Sequence, residues 1–218
     1  MKLSSLVPSV LAAAGVAVTA SMMPAEAAVF GFNRITENNV ENVANQLTVD
    51  VTGDSSNVTF KFTNSGPTSS FIAQIYVDVV GGLLAGPSVT NFAGTNFSLG
   101  GSPPNLPGGN TVGFTSDFRA TANNPAPRNG ASNTGEMVAL NFSGNVDNVL
   151  AAIGNGSLRF GTHVQGIGSA GGSDSFVNAV PVTDPEAVPE PLTILGSATA
   201  LGIGGLLKRQ QSKKNNKA

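Results

Sequence analysis

Residues 57–79 read NVTFKFTNSGPTSSFIAQIYVDV, and their apolar spacing decides the fold class. Val58, Phe60 and Phe62 alternate with Thr59 and Lys61, the period-two signature of a strand buried on one face. After the turn-forming run NSGPTSS at 64–70 the alternation resumes. Phe71, Ala73, Ile75, Val77 and Val79 are expected to point inward, with Gln74, Tyr76 and Asp78 outward. The pattern recurs on either side, at 47–51 (Leu47, Val49 and Val51 on one face), 111–115, 136–142 and 157–165. Further turn clusters stand at 53–57, 100–110 and 123–133. Two short helices are expected. One covers 38–46, where Val40, Val43, Ala44 and Leu47 recur at helical spacing. The other covers 146–153, with Asp147 capping its start and Gly154 its end. Many short strands with one or two short helices predict an all-β fold, an antiparallel β-sandwich or a jelly roll. The chain shows no internal repeat.

Composition fits that expectation. Gly (27) and Pro (13) make up about 18% of the 218 residues, above an average near 12%, which favours turns over long helices. There is no cysteine, so disulfides, thiol nucleophiles and cysteine-held metals are excluded. The segment 28–187 carries five basic residues against eleven acids, a net charge of −6. A sparse acidic surface repels nucleic acid, which is set aside as a partner.

The two ends differ from the middle. Lys2 is followed by a short apolar run at 6–19, then by Pro24 and Ala25-Glu26-Ala27. This is the layout of a signal peptide over 1–27, with an A-x-A site that signal peptidase would cut after Ala27. At the other end a Pro/acidic linker at 181–187 leads into Val188-Pro189-Glu190-Pro191. An uncharged stretch, 192–207, and the basic tail KRQQSKKNNKA at 208–218 follow. The prolines flanking Glu190 hold the backbone extended, and Pro191 suits a helix start. Sixteen residues rise about 24 Å as a helix, against a hydrocarbon core near 30 Å. Gly196, Gly202, Gly204 and Gly205 weaken that helix further. Lys208 and Arg209 would hold its end cytoplasmic.

These last thirty residues resemble the PEP-CTERM sorting signal. Pro189, Glu190 and Pro191 match its motif, 192–207 its transmembrane helix, and Lys208-Arg209 its basic start of tail. The tail is longer and richer in Asn and Gln than the short Arg-rich end common in that family. The resemblance implies recognition by an exosortase, an integral-membrane transpeptidase-like enzyme, in a bacterium that makes exopolysaccharide. It says little about the domain at 28–180. A plain single-pass anchor, never processed, is the competing reading of the same residues.

Between the ends no residue set is picked out as catalytic, cofactor-binding or metal-binding. His163 is the only histidine, so a histidine cluster is impossible, and no G-x-S-x-G elbow accompanies it. A solvent-facing or sheet-packed histidine is expected there. The acids are dispersed rather than paired for glycoside hydrolysis. There is no Trp and one Tyr, which leaves little for stacking on sugar rings, although polar recognition by Asn and Asp stays open. Asp50, Asp54, Ser55 and Asn57, or Ser173, Asp174 and Ser175, are candidate oxygen ligands for calcium, without EF-hand spacing. The expectation is a non-enzymatic exported protein sorted to the cell envelope or extracellular matrix, structural or adhesive, with exopolysaccharide as its partner. The alternatives are a carbohydrate- or calcium-binding module on a plain anchor, and an exported hydrolase using His163.

Overall fold

The computed structural model describes residues 26–179. The expected signal peptide before Glu26, the linker at 181–187 and the sorting segment at 188–218 lie outside them. So do Ala25 and the residues Val188, Pro189, Glu190, Pro191, Lys208 and Arg209. Among the described residues no helix is long and apolar enough to cross a membrane.

Two antiparallel sheets face one another as a sandwich. The first joins β1 (Glu26–Phe30), β3 (Leu47–Gly53), β4 (Asn57–Ser65), β10 (Thr134–Ser143) and β6 (Ala85–Asn91), in that spatial order. The second runs β2 (Phe32–Arg34), β12 (Gly172–Asn178), β11 (Leu158–Ile167), β5 (Phe71–Val79), β8 (Phe118–Ala122) and β7 (Phe97–Leu99). A two-residue β9 (Ala131–Ser132) also pairs with β5. Alternation explains the layers. In β4, Val58, Phe60 and Phe62 are fully buried, and in β3 so are Val49 and Val51. Phe160 of β11 meets Phe60 at 4.7 Å and Phe62 at 5.7 Å between ring centroids, both edge-on. Edge-to-face packing of this kind adds to the burial of the rings themselves.

The strands expected at 47–51, 57–63, 71–79, 136–142 and 157–165 all form. Other expectations are corrected. No strand covers 111–115. A 3₁₀ turn at Gly109–Val112 stands there between Gly108 and Gly113, both left-handed at φ 71° and 62°. The helix expected over 38–46 shrinks to a 3₁₀ turn at Ala44–Gln46. Its asparagines bond elsewhere instead: Asn38 and Asn39 donate to Ser173 and Asp174 of β12, and Asn42 Oδ1 accepts from the Ala44 N–H at 3.0 Å, a local competition that disfavours helix. Val40, counted on the helix face, is 97% exposed. The second helix forms as α2 (Val146–Gly154), following a four-residue α1 (Ala126–Asn129). Its N-cap is Asn145, whose side chain accepts from the Asn148 N–H, and Asn155 follows it at the C-cap. Asp147 lies inside the first turn, and Gly154 is the last helical residue.

Strand β5 departs from simple alternation. Its pairing with β11 slips between His163 and Val164, which stand opposite Gln74 and Ile72 and leave Ala73 unpaired. The extra residue puts Ile72 into the main core with Ile75 and Val77, whereas Phe71 drops out of it. Such a bulge re-aims every side chain beyond it.

Candidate functional site

The outer face of the larger sheet gathers the polar groups. The connection between β7 and β8, residues 100–117, folds back over this face instead of running along the rim. It is anchored at three places. At one end Arg119 donates from Nε to the Gly101 carbonyl at 3.0 Å and from its guanidinium to the Pro104 carbonyl at 3.4 Å. In the middle the Tyr76 hydroxyl donates to the Pro103 carbonyl at 3.2 Å. At the other end Arg159 pairs with Asp78 and donates to the carbonyls of Val112 and Gly113. The Arg159 guanidinium also sits 5.3 Å from the centre of the Phe114 ring.

Beneath this cover Tyr76, Leu106, Phe114 and Val177 form a second small apolar cluster. Tyr76 was expected to face outward and does, yet it is fully buried, because the connection shields it. Burial pushes its phenol up to about 12, against a smaller opposing pull from the Arg119 charge. Gly161 makes the close approach possible. A Cβ there would stand 2.8 Å from Leu106 Cδ2 and 3.1 Å from Phe114 Cζ, inside normal contact.

The neighbouring row is buried at Ser175 and Gln74 and opens towards Ser98. Ser175, His163, Gln74, Thr121 and Ser98 are successive cross-strand partners over β12, β11, β5, β8 and β7. Gln74 is only 6% exposed, and its Oε1 lies 2.6 Å from His163 Nδ1. That contact makes Nδ1–H the donor in a neutral ring. Burial lowers the His163 pKa below the ordinary value, with Asp174 pulling weakly the other way. Gln165 lies along the same strand as His163. Beside this row an open groove of about 460 Å³ is floored by Gln74, Gln165 and Thr121 and rimmed by Ser98, Ser102 and Asn124. A larger depression of about 560 Å³, between residues 80–83 and α2, is walled mostly by Gly, Ala, Val and Leu with few side-chain donors.

Three sequence-derived possibilities can be placed on this frame. His163 is packed in the sheet, and its Nδ1 meets an amide oxygen, not a carboxylate. The first calcium candidate is dispersed into turn and ladder contacts. Asp50 pairs with Lys61 at 2.8 Å. Asp54 accepts from the backbone N–H groups of Ser56 and Asn57 at 2.7 and 2.8 Å, and these two bonds lower its pKa. In the second, Asp174 is buried at 1% exposure. It accepts from Thr36, from the Asn38 N–H and from Asn39, with Arg34 at 3.8 Å. These donors already surround its oxygens. Of the expected cleavage-site residues, Ala27 lies in β1 opposite Thr52.

No protein-family model matches the chain, and no curated protein does. One solved structure is similar in part, that described as "pH-induced modulation of Streptococcus parasanguinis adhesion by Fap1 fimbriae". It covers 73% of this chain and 97% of its own, at 9% identity and a TM-score of 0.39. At that level the likeness carries no argument about fold or function.

Proposed function

We propose that this protein is a non-enzymatic, exported component of the cell envelope or extracellular matrix, with a structural or adhesive role against exopolysaccharide. The signal peptide at 1–27 takes it out of the cytoplasm. Val188-Pro189-Glu190-Pro191 presents an extended recognition site to an exosortase-like enzyme, while 192–207 and Lys208-Arg209 hold the chain in the inner membrane during sorting. The observation supporting this most is the order of parts. A cysteine-free chain sets a β-sandwich between an export signal and a proline-flanked glutamate backed by an apolar run and cations.

Intact-mass measurement on protein recovered from its host tests the proposal. The expected mass lacks the residues before Ala28 and those beyond the 188–191 motif. Recovery from the cytosol at the full mass of residues 1–218 would remove the sorting reading. Loss of the first 27 residues with 192–218 retained would turn it into a plain single-pass anchor.

A further inference from the structure

The open groove on the outer face of the larger sheet has a composition that selects its ligand. We propose that it binds a short run of neutral sugar residues, held by side-chain amides and hydroxyls with Gln74 at its floor. Four observations lead there. First, the groove is built, because Gln74 is 6% exposed and its oxygen is engaged by His163. That fixes the direction of the amide. The side-chain bond of Gln74 to His163 uses its oxygen alone, and the residue lines the groove. That leaves the amide N–H groups free to donate to a polar ligand. Second, no ionisable side chain lines the groove, so nothing there favours a charged ligand over a neutral one.

Third, Gln165 and Asn124 each set a donor beside an acceptor, and Ser98 and Ser102 add hydroxyls that do both. Sugar hydroxyls have the same dual character. Leu99, 45% exposed, and Ala126 add apolar surface at the rim for the C–H face of a ring. Fourth, the floor of the groove lies on β11, β5 and β8, which are paired on both sides, and only its rim at Ser98 and Leu99 belongs to the edge strand β7. A peptide adding itself as a strand would need a free edge. Its volume, about 460 Å³, falls within the roughly 300–1,000 Å³ of small-molecule sites.

The proposal rests on the groove and not on the sorting signal, so each can fail alone: intact mass reports on the ends, ligand titration on the sandwich. The test titrates the full chain with laminarihexaose, maltohexaose, cellohexaose and mannohexaose. An alginate hexamer serves as the anionic control, and binding is read by saturation-transfer NMR. At least one neutral hexaose is expected to bind, and the alginate oligomer to bind more weakly. Gln74→Leu and Asn124→Ala should each weaken the best ligand about three- to tenfold, the worth of one neutral hydrogen bond. Asn141→Ala, on the outer face of the other sheet and bonded to Thr59 and Thr90, should leave affinity unchanged. Because Gln74 is buried, its variant is first checked for native circular dichroism. If it does not fold, the exposed Asn124 decides alone. No binding by any neutral hexaose, alginate binding as tightly as the best of them, or affinity indifferent to these substitutions would each overturn the proposal.

Discussion

Three single residues give direct tests, and two of them, Tyr76 and Gly161, report on the cover formed by 100–117. Tyr76 is the chain's only tyrosine, and there is no tryptophan, so its ultraviolet absorbance can be titrated without interference. Its phenol should ionise at about 12, well above the ordinary value near 10. A midpoint at the ordinary value would mean that the connection does not lie over it. The sign follows from burial. The folded state disfavours the phenolate, so this contribution to stability is whole below the unfolded pKa and is lost as pH rises through the folded one. His163 works in the opposite direction. Its folded pKa lies below that of the unfolded chain because burial disfavours the imidazolium. Stability is therefore full above about pH 6.5 and falls as pH drops from there towards the folded pKa, where the unfolded chain takes up a proton first. Urea denaturation at pH 7.5 and 5.5 should show the acid loss in the native protein and a smaller one in His163→Gln. Equal losses in the two would remove His163 as the cause. Gly161 is the third reporter. Gly161→Val drives methyl groups into Leu106 and Phe114, and overpacking of that kind costs about 1–3 kcal/mol. The expected mark is faster proteolysis within 100–117, and an unchanged cleavage pattern would contradict the packing described.

At the scale of elements, α2 offers the sharpest test, because sequence and structure disagree over its cap. Asn145 accepts the Asn148 N–H at 3.0 Å, so Asn145→Ala should lower stability by about 1 kcal/mol. Asp147 acts only through the helix dipole and should matter less, about 0.3–1 kcal/mol on removal. A larger loss for Asp147→Ala than for Asn145→Ala would reverse the assignment. The same comparison shows what was legible. Strands β3, β4 and β10 were readable because the alternation of Val, Leu and Phe on the buried face is unbroken, and β11 because only Thr162 interrupts it. Strands β6 and β7 lie at sheet edges, and β6 reads AGPSVTN with little buried, so no periodicity betrays them. The segment 38–46 is not a helix despite its apolar spacing because Asn38 and Asn39 are tied to β12 and Asn42 bonds the Ala44 N–H. The bulge at Ala73 misled because one unpaired residue reverses inside and outside beyond it. The groove was hidden for a related reason. Ser98, Thr121, Gln74 and Gln165 come from four strands far apart in sequence, and register alone brings them together. The one available hint was that Gln74 stood outward in the middle of a mostly apolar strand.

For the whole molecule, the two sheets are held together by the ring cluster between them and by no covalent link. Phe160 is central to it, fully buried and in edge contact with Phe60 and Phe62 across the interface, while Phe60 and Phe118 each touch Phe142 at 5.4 and 5.0 Å. Truncating a buried phenylalanine to alanine removes the transfer energy of the ring and leaves a cavity, about 3–5 kcal/mol together. Domains of this size hold about 5–15 kcal/mol in all. Phe160→Ala should therefore take about a fifth or more of the stability, with no disulfide to compensate. Phe160→Leu keeps most of the volume and should lose clearly less. The contrast is Asp50→Ala, which breaks the partly exposed pair with Lys61 and should cost under about 1 kcal/mol. Urea denaturation followed by the fluorescence of Tyr76 reads all three. The ordering Phe160→Ala, then Phe160→Leu, then Asp50→Ala follows if apolar contact between sheets carries the fold. If the charge removal matched the ring removal, surface pairing would be holding the sandwich together, and the layered core would not explain how this chain stands without disulfides.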